Sequence, residues 1–272
     1  MITRIAPTPS GYLHEGNCVN FLLTARLAES MEGTLALRID DMDADRYRPE
    51  YVTDALRVLD WLGISWQQGP RSTEEFEQSF SLRERTDSYR ADLRRLQNSV
   101  LDTYDCDCSR SAARAVGANG CVGECRFRNV RAMPGRTATR VHVPDGTLVP
   151  VGDVDVDLST AMGDFVVWRR DDRPAYQLAS VVEDQKLGTT HFVRGSDLLA
   201  SSAAQIYLAS GLDADHVASA GYIHHPLVRD SHGEKLSKSQ LAAGPLDTTP
   251  ELRERVEARA AQMADELGIA RR

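Results

Sequence analysis

The sequence predicts an α/β fold in which a parallel-sheet domain is split into two halves by an inserted subdomain. Near the N-terminus, a strand-like segment at residues 2–6 is followed by helical spacing over 14–31 and by a second apolar segment at 34–39. Because two strands joined by a helix usually lie parallel, this region predicts a right-handed β–α–β unit. A further strand at 191–194 leads into another helix, and four of the five cysteines lie between these two regions, within 106–125.

The first half of the predicted sheet domain is defined by apolar spacing and by breaks at proline and glycine. Pro7, Pro9 and Gly11 form the turn after the first strand, and Gly33 ends the first helix. One face of that helix carries the apolar residues Val19, Leu22, Leu23, Leu27 and Ala28. The elements predicted next are a helix over 49–62, a short strand over 63–66 and a charged helix over 74–98 that is broken near residues 80–81.

The insertion and the strand that follows it are predicted from alternation and from capping residues. Valine and threonine alternate through residues 137–156, which predicts β-structure, and residues 165–168 form a further strand. After the strand at 191–194, Ser196 or Asp197 is predicted to cap a helix that runs to about residue 210.

The last predicted helix begins at a capping signal, with the Thr249 hydroxyl at the N-cap and Pro250 in the first helical position. Its apolar face is formed by Leu252, Val256, Ala260, Met263 and Leu267. The predicted domain limits are 1–100 and 174–245 for the two halves of the sheet domain, 101–173 for the insertion and 246–272 for the C-terminal helix.

The composition is that of a packed globular protein. The chain has 272 residues, of which 42% are hydrophobic, and a net charge of −8 at neutral pH. No apolar run approaches the roughly 20 residues that cross a bilayer, and the N-terminus does not have the pattern of a secretory signal. We therefore expect a cytoplasmic protein that does not use a membrane. Because the overall charge repels polyanions, a nucleic-acid partner requires a local basic surface.

The first candidate site is the turn that joins the first strand to the first helix, in the segment RIAPTPSGYLHEGN from Arg4 to Asn17. A helix N-terminus offers N–H groups that bind phosphate, and glycines let a ligand approach the backbone. An imidazole there can donate a hydrogen bond as charge builds on a phosphate oxygen. On its own, a histidine at a helix start is more often an ordinary surface residue. The residues predicted to bind a nucleotide here are Gly11, His14, Gly16 and Asn17.

The second candidate site is the lysine-rich segment EKLSKS at residues 234–239. Two ammonium groups can neutralise a pentavalent phosphorus transition state, and the hydroxyls add hydrogen-bond donors. Lysine and serine are also common in solvated loops, so this segment alone is weak evidence. Together, the two segments predict that ATP is held between a helix N-terminus and a cationic loop. The loop residues predicted to bind ATP are Lys235, Ser237 and Lys238, and the predicted catalytic residues are His14, Lys235 and Lys238.

These two segments resemble the HIGH and KMSKS signatures of class I aminoacyl-tRNA synthetases, most closely those of the glutamyl branch, whose opening reads R-F-A-P-S-P-T-G-x-L-H-x-G-N. Residues 38–43 resemble the R-I-E-D-x-D block of that branch, and residues 176–179 and 193–199 resemble its Y-x-L-A and V-R-G-x-D-L-L blocks. The resemblance implies a Rossmann-type class I catalytic domain with an inserted, zinc-bearing subdomain similar to the acceptor-binding insertion of the family.

The resemblance also implies a glutamate site. A glutamate side chain is an anion that suits an arginine fork, and its ammonium group suits a carboxylate. The residues implied to surround glutamate are Arg4, Ile5, Ala6, Pro7, Thr8, Asp40, Tyr176 and Arg194. The family has Glu where Asp40 stands, and the shorter side chain withdraws the carboxylate by about 1.5 Å. Either a backbone shift or a water preserves glutamate binding, or the choice of amino acid is altered.

The clustered cysteines predict a metal site. Cys106 and Cys108 form one close pair, and Cys121 and Cys125 form a second pair after a loop of twelve residues. Four thiolates suit one tetrahedral zinc ion in a structural role, since no coordination position is left for water. Buried, inert thiols are the alternative. Short members of the glutamyl branch often have Tyr at the position of Cys121, and the fifth cysteine, Cys18, is expected in the core.

A basic segment follows the cysteines. Between Cys125 and Arg140 there is no acidic residue, and Arg110 and Arg114 lie within the cysteine loop. Arginine suits phosphate geometry, so the segment predicts contact with tRNA, with a solvated basic face as the alternative. Its five arginines are Arg126, Arg128, Arg131, Arg136 and Arg140.

The short sequence after the lysine segment indicates the subtype. Only 33 residues follow Ser239, so we expect no anticodon-binding domain. This truncation resembles the glutamyl-Q tRNA(Asp) synthetases, which activate glutamate with ATP and attach it to queuosine in the tRNA anticodon. The resemblance therefore implies that reaction, with Mg²⁺ accompanying ATP. Two alternatives stay open: an aminoacyl-adenylate enzyme with another amino acid or acceptor, such as a carrier protein or small metabolite, and a non-catalytic RNA-binding paralogue.

Overall fold

The computed structural model describes residues 1–109, 111, 121, 124–228 and 244–269. These residues form two compact units. The first unit contains residues 1–84, 189–197 and 221–272, and the second contains 85–188 and 198–220. The units divide the chain at different residues from the predicted domain limits, because the helices at 86–97 and 176–187 belong with the second unit.

Helices are interspersed with strands towards both ends of the described chain, and strands predominate in its middle. In the first part of the chain they are β1 (Ile2–Ile5), α1 (Glu15–Ser30), β2 (Thr34–Leu37), α2 (Pro49–Trp61), α3 (Thr86–Gln97), β3 (Thr103–Cys106), β4 (Ala138–Val141), β5 (Leu148–Val151) and β6 (Val154–Asp157). They continue with α4 (Leu158–Ala161), β7 (Phe165–Trp168), α5 (Tyr176–Leu187), β8 (His191–Gly195), α6 (Leu199–Leu212), α7 (Asp215–Ala218), β9 (Gly221–His225) and α8 (Pro250–Glu266). The sequence pattern did not predict β3, α4, α5, α7 or β9.

The first unit is built on parallel strand pairs, as the sequence predicts. β1 pairs with β2 from Ile2↔Thr34 onward, and β8 pairs with β9 from His191↔Gly221 onward. The N–H of Thr190 donates to the carbonyl oxygen of Ile2 at 2.9 Å, which brings the start of β8 beside the start of β1. The predicted apolar faces of α1 and α8 are buried in one core, except for Leu267, which is partly buried. Cys18 also lies in this core.

Two capping predictions have different outcomes. The start of α8 is confirmed, because the Thr249 Oγ1 accepts a hydrogen bond from the Leu252 N–H at 3.2 Å. The predicted cap of α6 at Ser196 or Asp197 is wrong, because Ser196–Leu198 form a 3₁₀ turn and the helix begins at Leu199. The Asp197 carboxylate lies against Gly195, where an added Cβ would be only 2.6 Å from Oδ1, instead of capping the helix.

The short strand predicted at 63–66 is also wrong. Gly63 has a φ of +71°, which ends α2 in a turn, and the pairing with β2 starts later in the chain. Gln68 forms an isolated parallel bridge with Ala36, and the Gln67 N–H donates to Leu35 at 2.8 Å. The strand-like contact is therefore displaced towards the C-terminus by the turn at Gly63.

The predicted break near residues 80–81 is confirmed, and a buried carboxylate explains it. A π-helical turn, Phe76–Phe80, ends where Ser81 Oγ and the Leu82 N–H donate to Asp41 at 2.6 and 2.9 Å. Arg83 Nε donates to the same carboxylate at 2.8 Å. These bonds replace the helical hydrogen bonds that a continuous helix would need at this point.

The second unit combines antiparallel strands with helices. β4 lies between β3 and β7, and β5 pairs with β6, so the predicted β-structure over 137–156 and 165–168 is confirmed. Glu183 of α5 is buried and accepts hydrogen bonds from Arg85 at 2.5 Å and from Tyr89 at 2.9 Å, which fixes α3 against α5. Within the described part of the chain, every helix is too short or too polar to cross a membrane.

Candidate active site and cysteine cluster

His14 is the N-cap residue of α1, which follows the turn after β1. Its backbone is extended, with φ −131° and ψ 170°, and its N–H donates to Asn17 Oδ1 at 3.0 Å. The imidazole lies over the first turn, because a Cβ on Gly16 would come within 3.1 Å of its Cε1 and Nδ1 atoms. Gly16 thus makes room for the ring beside the N–H groups of the first turn, which is a geometry that accepts phosphate oxygens. The Asn17 side chain therefore accepts a hydrogen bond that caps the start of α1.

An ion pair between a buried carboxylate and a partly exposed arginine links this turn to the segment before α8. Asp54, within α2, accepts hydrogen bonds from the Leu13 N–H at 3.3 Å and from Arg57 Nη2 at 2.8 Å. Arg57 also donates to the Leu246 carbonyl oxygen and to Thr248 Oγ1, both at 2.9 Å. Asp54 and Arg57 therefore connect Leu13, which precedes His14, to Leu246 and Thr248, which follow the lysine segment.

The residues before the lysine segment also reach the His14 turn. A Cβ on Gly16 would lie 3.7 Å from the Cβ of Val228, which is the last described residue before the segment. Lys235, Ser237 and Lys238 lie outside the described residues, so the contacts assigned to them stay predictions. The described residues on both sides of the segment belong to the first unit.

Two buried arginines surround one aromatic ring in the first unit. Arg4 of β1 is 5% exposed and Arg194 of β8 is 3% exposed. Their guanidinium carbons lie 4.7 and 4.6 Å from the centroid of the Phe192 ring, within the range of cation–π attraction. The Tyr222 ring of β9 stacks on Phe192 at 4.7 Å. Neighbouring strands thus bring together two of the side chains predicted to bind glutamate.

Asp40 lies just after β2, where the β1–β2 pairing continues beyond the strands. The Arg38 N–H donates to Ile5 and the Asp40 N–H donates to Pro7, each at 2.9 Å. The Arg38 side chain holds the Asp40 carboxylate in a two-bond fork of 2.6 and 3.0 Å. The Asp40 carboxylate is therefore already paired with the Arg38 guanidinium, next to the turn that contains Thr8.

Seven of the eight residues predicted to surround glutamate belong to the first unit, and Tyr176 belongs to the second. Arg4 and Ile5 are in β1, and Ala6 to Thr8 follow directly. Tyr176 is the first residue of α5 and its side chain is exposed.

His224, which is not among the residues predicted from the sequence, pairs in register with Arg194 across β8 and β9. Its ring is parallel to that of Tyr222, with centroids 6.4 Å apart and an interplanar angle of 6°. Burial, and next the positive charge of Arg194, lower the pKa of His224 to about 4. The imidazole is therefore neutral at physiological pH beside the buried arginine. The sequence feature that could have identified His224 is its position two residues before Pro226 and ahead of the lysine segment.

The neighbouring His225 is held in one tautomer. Its Nδ1 lies 2.8 Å from the Pro226 carbonyl oxygen and therefore carries the proton that it donates. Its Nε2 then accepts from Asn20 Nδ2 at 3.1 Å, and the same amide donates to Val193 at 3.2 Å. Burial lowers the pKa of His225, which keeps the ring neutral and preserves this link between α1, β8 and β9.

The four clustered cysteines lie in the second unit with their sulfur atoms within 4.8 Å of one another. Cys108 Sγ lies 3.8 Å from Cys121 Sγ and 3.5 Å from Cys125 Sγ. A tetrahedral zinc ion with bonds of about 2.3 Å requires sulfur atoms about 3.8 Å apart, so the cluster fits this ion. Burial raises the pKa of the Cys106 and Cys125 thiols, so a cation is needed to hold them as thiolates.

The arginines after the cluster fall into two groups. Arg126 Nε pairs with Asp102 at 2.6 Å, Arg128 pairs with Asp107 at 3.2 Å, and Arg140 donates to the Asp164 carbonyl oxygen at 2.8 Å. The other two, Arg131 and Arg136, are exposed and form no ion pair among the residues that the structure describes. Arg110 and Arg114 lie outside those residues. The basic segment is thus partly neutralised, because two of its five arginines pair with carboxylates, and Arg131 and Arg136 are the exposed arginines that have no ion pair among the described residues.

A strand that leads through a glycine-containing turn into a helix N-terminus, within a set of parallel strands, is an arrangement found in nucleotide-binding α/β domains. Residues 1–244 match the family described as "tRNA synthetases class I (E and Q), catalytic domain". The chain therefore belongs to the class I tRNA synthetases of the E and Q group, a family of ATP-dependent ligases. The fold class predicted from the sequence is confirmed.

Curated relatives carry two kinds of name. The chain is 38% identical to a glutamyl-Q tRNA(Asp) synthetase of Burkholderia cenocepacia, over 86% of the chain and 79% of that protein. It is 35% identical to glutamate–tRNA ligase 2 of Ruegeria sp. (strain TM1040), over 87% of the chain but 54% of the ligase. It thus spans about half the length of this ligase.

A solved structure shares the fold. The glutamate–tRNA synthetase from Elizabethkingia anophelis superposes with a TM-score of 0.68 at 22% identity, covering 88% of the chain and 52% of that protein.

Proposed function

We propose that this chain activates glutamate with ATP, forming glutamyl-adenylate and pyrophosphate, and then transfers the glutamyl group to queuosine in tRNA(Asp). Family membership supports the adenylate chemistry. The names of relatives that match the chain over about four fifths of their length support this acceptor, which is otherwise implied only by the sequence resemblance.

The observation that carries the proposal is the pair of buried arginines, Arg4 and Arg194, at the Phe192 ring. Two guanidinium groups that are buried beside one ring place several fixed N–H donors in one small region. A carboxylate bound there would accept charge-assisted hydrogen bonds from them. A glutamate side chain has the required charge and shape.

Asp40 would be the carboxylate for the ammonium group of glutamate, and its charge would be shared between that group and Arg38. Because Asp40 is held in a fork, it cannot move towards the ligand without breaking its bonds to Arg38. A bridging water would preserve glutamate binding despite the shorter side chain, and we adopt this interpretation. The roles of Tyr176 and of the Ile5–Thr8 backbone in orienting glutamate are part of the same proposal.

In the proposed reaction, an oxygen of the glutamate α-carboxylate attacks the α-phosphorus of ATP, and the bond to the pyrophosphate oxygen breaks. No base has to remove a proton, because the carboxylate is already ionised. Catalysis then consists of positioning and electrostatic stabilisation. His14 and the first-turn amides of α1, with Gly11 and Gly16 in the turn, would hold the phosphates. Lys235, Ser237 and Lys238 would stabilise the charge of the transition state, and Mg²⁺ would accompany ATP.

The cysteine cluster would hold one structural zinc ion per chain through Cys106, Cys108, Cys121 and Cys125. Four sulfur ligands fill the coordination shell, so the ion would supply folding free energy rather than chemistry. Metal analysis of the purified protein is expected to find one zinc per chain. Protein that is folded and contains no metal would contradict the assignment.

The proposed function is tested by ATP–pyrophosphate exchange with each proteinogenic amino acid, without and with tRNA. We expect exchange with glutamate and no requirement for tRNA. Exchange with a different amino acid would show that Asp40 alters the choice, and ATP binding without exchange would favour a non-catalytic paralogue.

The acceptor is tested separately, by measuring transfer of labelled glutamate to tRNA(Asp) with and without queuosine. We expect labelling of the queuosine-containing tRNA alone. Equal labelling of both, or labelling of neither, would favour a different acceptor such as a carrier protein or small metabolite. The cytoplasmic location stays a prediction from the sequence.

A further inference from the structure

Phe127 is an exposed aromatic residue next to the cysteine cluster. It ends the short 3₁₀ turn Cys125–Phe127, and its side chain is 75% exposed. A single exposed apolar side chain is common on protein surfaces, so its significance depends on the residues around it. Here the environment is a run of arginines in a chain of net charge −8.

The Phe127 ring stands on a firmly held backbone. Cys125, the first residue of the turn, is buried, the Phe127 N–H donates to the Glu124 carbonyl oxygen at 2.9 Å, and the Arg128 N–H donates to the Cys125 carbonyl oxygen at 3.1 Å. A ring presented this way loses little conformational entropy when a ligand covers it.

Fixed cations flank the ring in sequence. The Arg126 guanidinium lies 5.5 Å from the Phe127 centroid and is oriented by Asp102 at 2.6 Å. Arg128 is oriented on the other side of Phe127 in the chain by its pair with Asp107. An aromatic face beside an oriented guanidinium plane is a combination that stacks on nucleobases.

The same segment continues into a closed turn that presents further positive charge. The Thr137 N–H donates to the Met133 carbonyl oxygen at 2.9 Å, and the Met133 N–H donates to Thr137 Oγ1 at 2.7 Å. Gly135 takes a φ of +81° within it, which favours glycine at that position. Arg136 and, before the turn, Arg131 are exposed. They are the two exposed arginines of the segment that form no ion pair among the described residues.

We propose that Phe127 is a stacking platform for an unpaired nucleobase of an RNA loop, and that Arg131 and Arg136 contact the phosphates beside it. We define residues 126–136 as the stacking surface. The identity of the RNA as tRNA rests on the proposed function, in which the acceptor base lies in the anticodon loop. The charge of the surface and the absence of acid between Cys125 and Arg140 favour RNA over a protein partner.

Stacking and phosphate contact leave different signatures in binding. Removing a stacked ring weakens affinity at every salt concentration and leaves the salt dependence unchanged, whereas removing a phosphate contact lowers that dependence. The measurement is the dissociation constant of the full-length, metal-containing protein for a labelled tRNA(Asp) anticodon hairpin, across a range of salt concentrations. Val100→Ala is the matched control, because Val100 is 89% exposed but has no arginine neighbours in the sequence.

We expect Phe127→Ala to weaken hairpin binding by about tenfold or more with an unchanged salt slope, and Phe127→Trp to restore it. Arg131→Gln and Arg136→Gln should each lower the salt slope by about one. Binding by Phe127→Ala that equals wild type, or a Trp variant that restores nothing, overturns the proposal. Failure of wild type to bind the hairpin also overturns it.

Glutamate-dependent pyrophosphate exchange, measured on the same variants, separates this inference from the proposed function. We expect exchange by Phe127→Ala at the wild-type rate. A wild-type chain that binds the hairpin through Phe127 but shows no exchange would remove the proposed catalysis and leave the stacking surface. A chain that is active in exchange but binds the hairpin equally well when Phe127 is replaced by alanine would support the proposed catalysis and remove the stacking surface.

Discussion

Arginine is used in opposite ways in the two compact units. In the first unit, Arg4 and Arg194 are almost fully buried, and both lie against the Phe192 ring. In the second unit, Arg131 and Arg136 are exposed and pair with no acid among the described residues. The residue type is the same, but the buried arginines suit one small anion, whereas the exposed arginines suit a polyanion.

The physical reason is desolvation. A buried guanidinium has lost its hydration and holds a fixed direction, so it discriminates strongly between ligands of different shape and charge. An exposed guanidinium keeps its water, is screened by salt and contributes affinity with little selectivity. The account therefore predicts large and specific effects from variants in the first unit, and small and salt-dependent effects from variants in the basic segment.

The largest expected effect comes from Arg194. Arg194→Gln should lower glutamate-dependent exchange on the order of a thousandfold, because a desolvated charge partner of the substrate carboxylate is lost. The measurement is kcat/KM for glutamate in ATP–pyrophosphate exchange. Arg136→Gln is the matched control and should leave exchange unchanged. Similar losses from the two substitutions would break the contrast between buried and exposed arginines.

Lys238 should have the next largest effect. Lys238→Ala is expected to lower the rate of adenylate formation about a hundredfold, which is the usual loss when one transition-state donor is removed. Glutamate affinity should change little, because this charge is needed at phosphorus. Exchange at close to the wild-type rate would refute the catalytic role of the lysine segment.

A smaller effect is expected where a buried carboxylate joins the two predicted nucleotide segments. Asp54→Asn keeps a hydrogen-bond acceptor but removes the charge that holds Arg57, and with it the anchoring of Leu246 and Thr248. We expect about 2 kcal/mol of lost stability, as for a buried partner removed from a network. Exchange measured well below the unfolding temperature should fall about tenfold.

The matched variant for this test is Thr248→Val, which removes one of the hydrogen bonds and keeps the ion pair. It should produce a smaller loss of both stability and exchange. If the Asp54 variant loses stability and its exchange rate stays at the wild-type value, the ion pair is purely structural and does not position the site.

The smallest expected effect is on the pH dependence of stability. Burial and Arg194 lower the pKa of His224 to about 4 in the folded chain, compared with about 6.5 when unfolded. As pH falls between these values, only the unfolded chain gains the proton, so stability decreases. His224→Gln should flatten this decrease by at most about 1.4 kcal/mol per pH unit. Urea unfolding across this pH range measures it, and an unchanged slope would contradict the buried, neutral state.

Local features of the structure could be predicted from the sequence. The helix start at His14 and the cap at Thr249 depend on residues within one turn, so both can be recognised in the sequence. The same holds for the cysteine cluster, because each close pair is set by spacing and only the meeting of the two pairs is non-local. The break after Phe80 was also predicted, although its cause, the Asp41 carboxylate, is distant in the chain.

Features that depend on distant residues could not be predicted. The Phe192 ring and Arg194 lie on the same strand, but Arg4 meets that ring only because β1 and β8 lie side by side in the fold, and no periodicity encodes that contact. The fork between Arg38 and Asp40 was missed although the residues are close in sequence, because side-chain direction at the end of a strand depends on the neighbouring turn. The cap of α6 failed because Asp197 turns towards Gly195.

The most direct test of the account is a crystal structure of the chain with a non-reactive glutamyl-adenylate analogue. The account predicts that the glutamyl side-chain carboxylate contacts Arg4 and Arg194, and that the phosphate mimic lies at the first turn of α1 beside His14. An analogue bound elsewhere, or one whose carboxylate points away from both arginines, would contradict it.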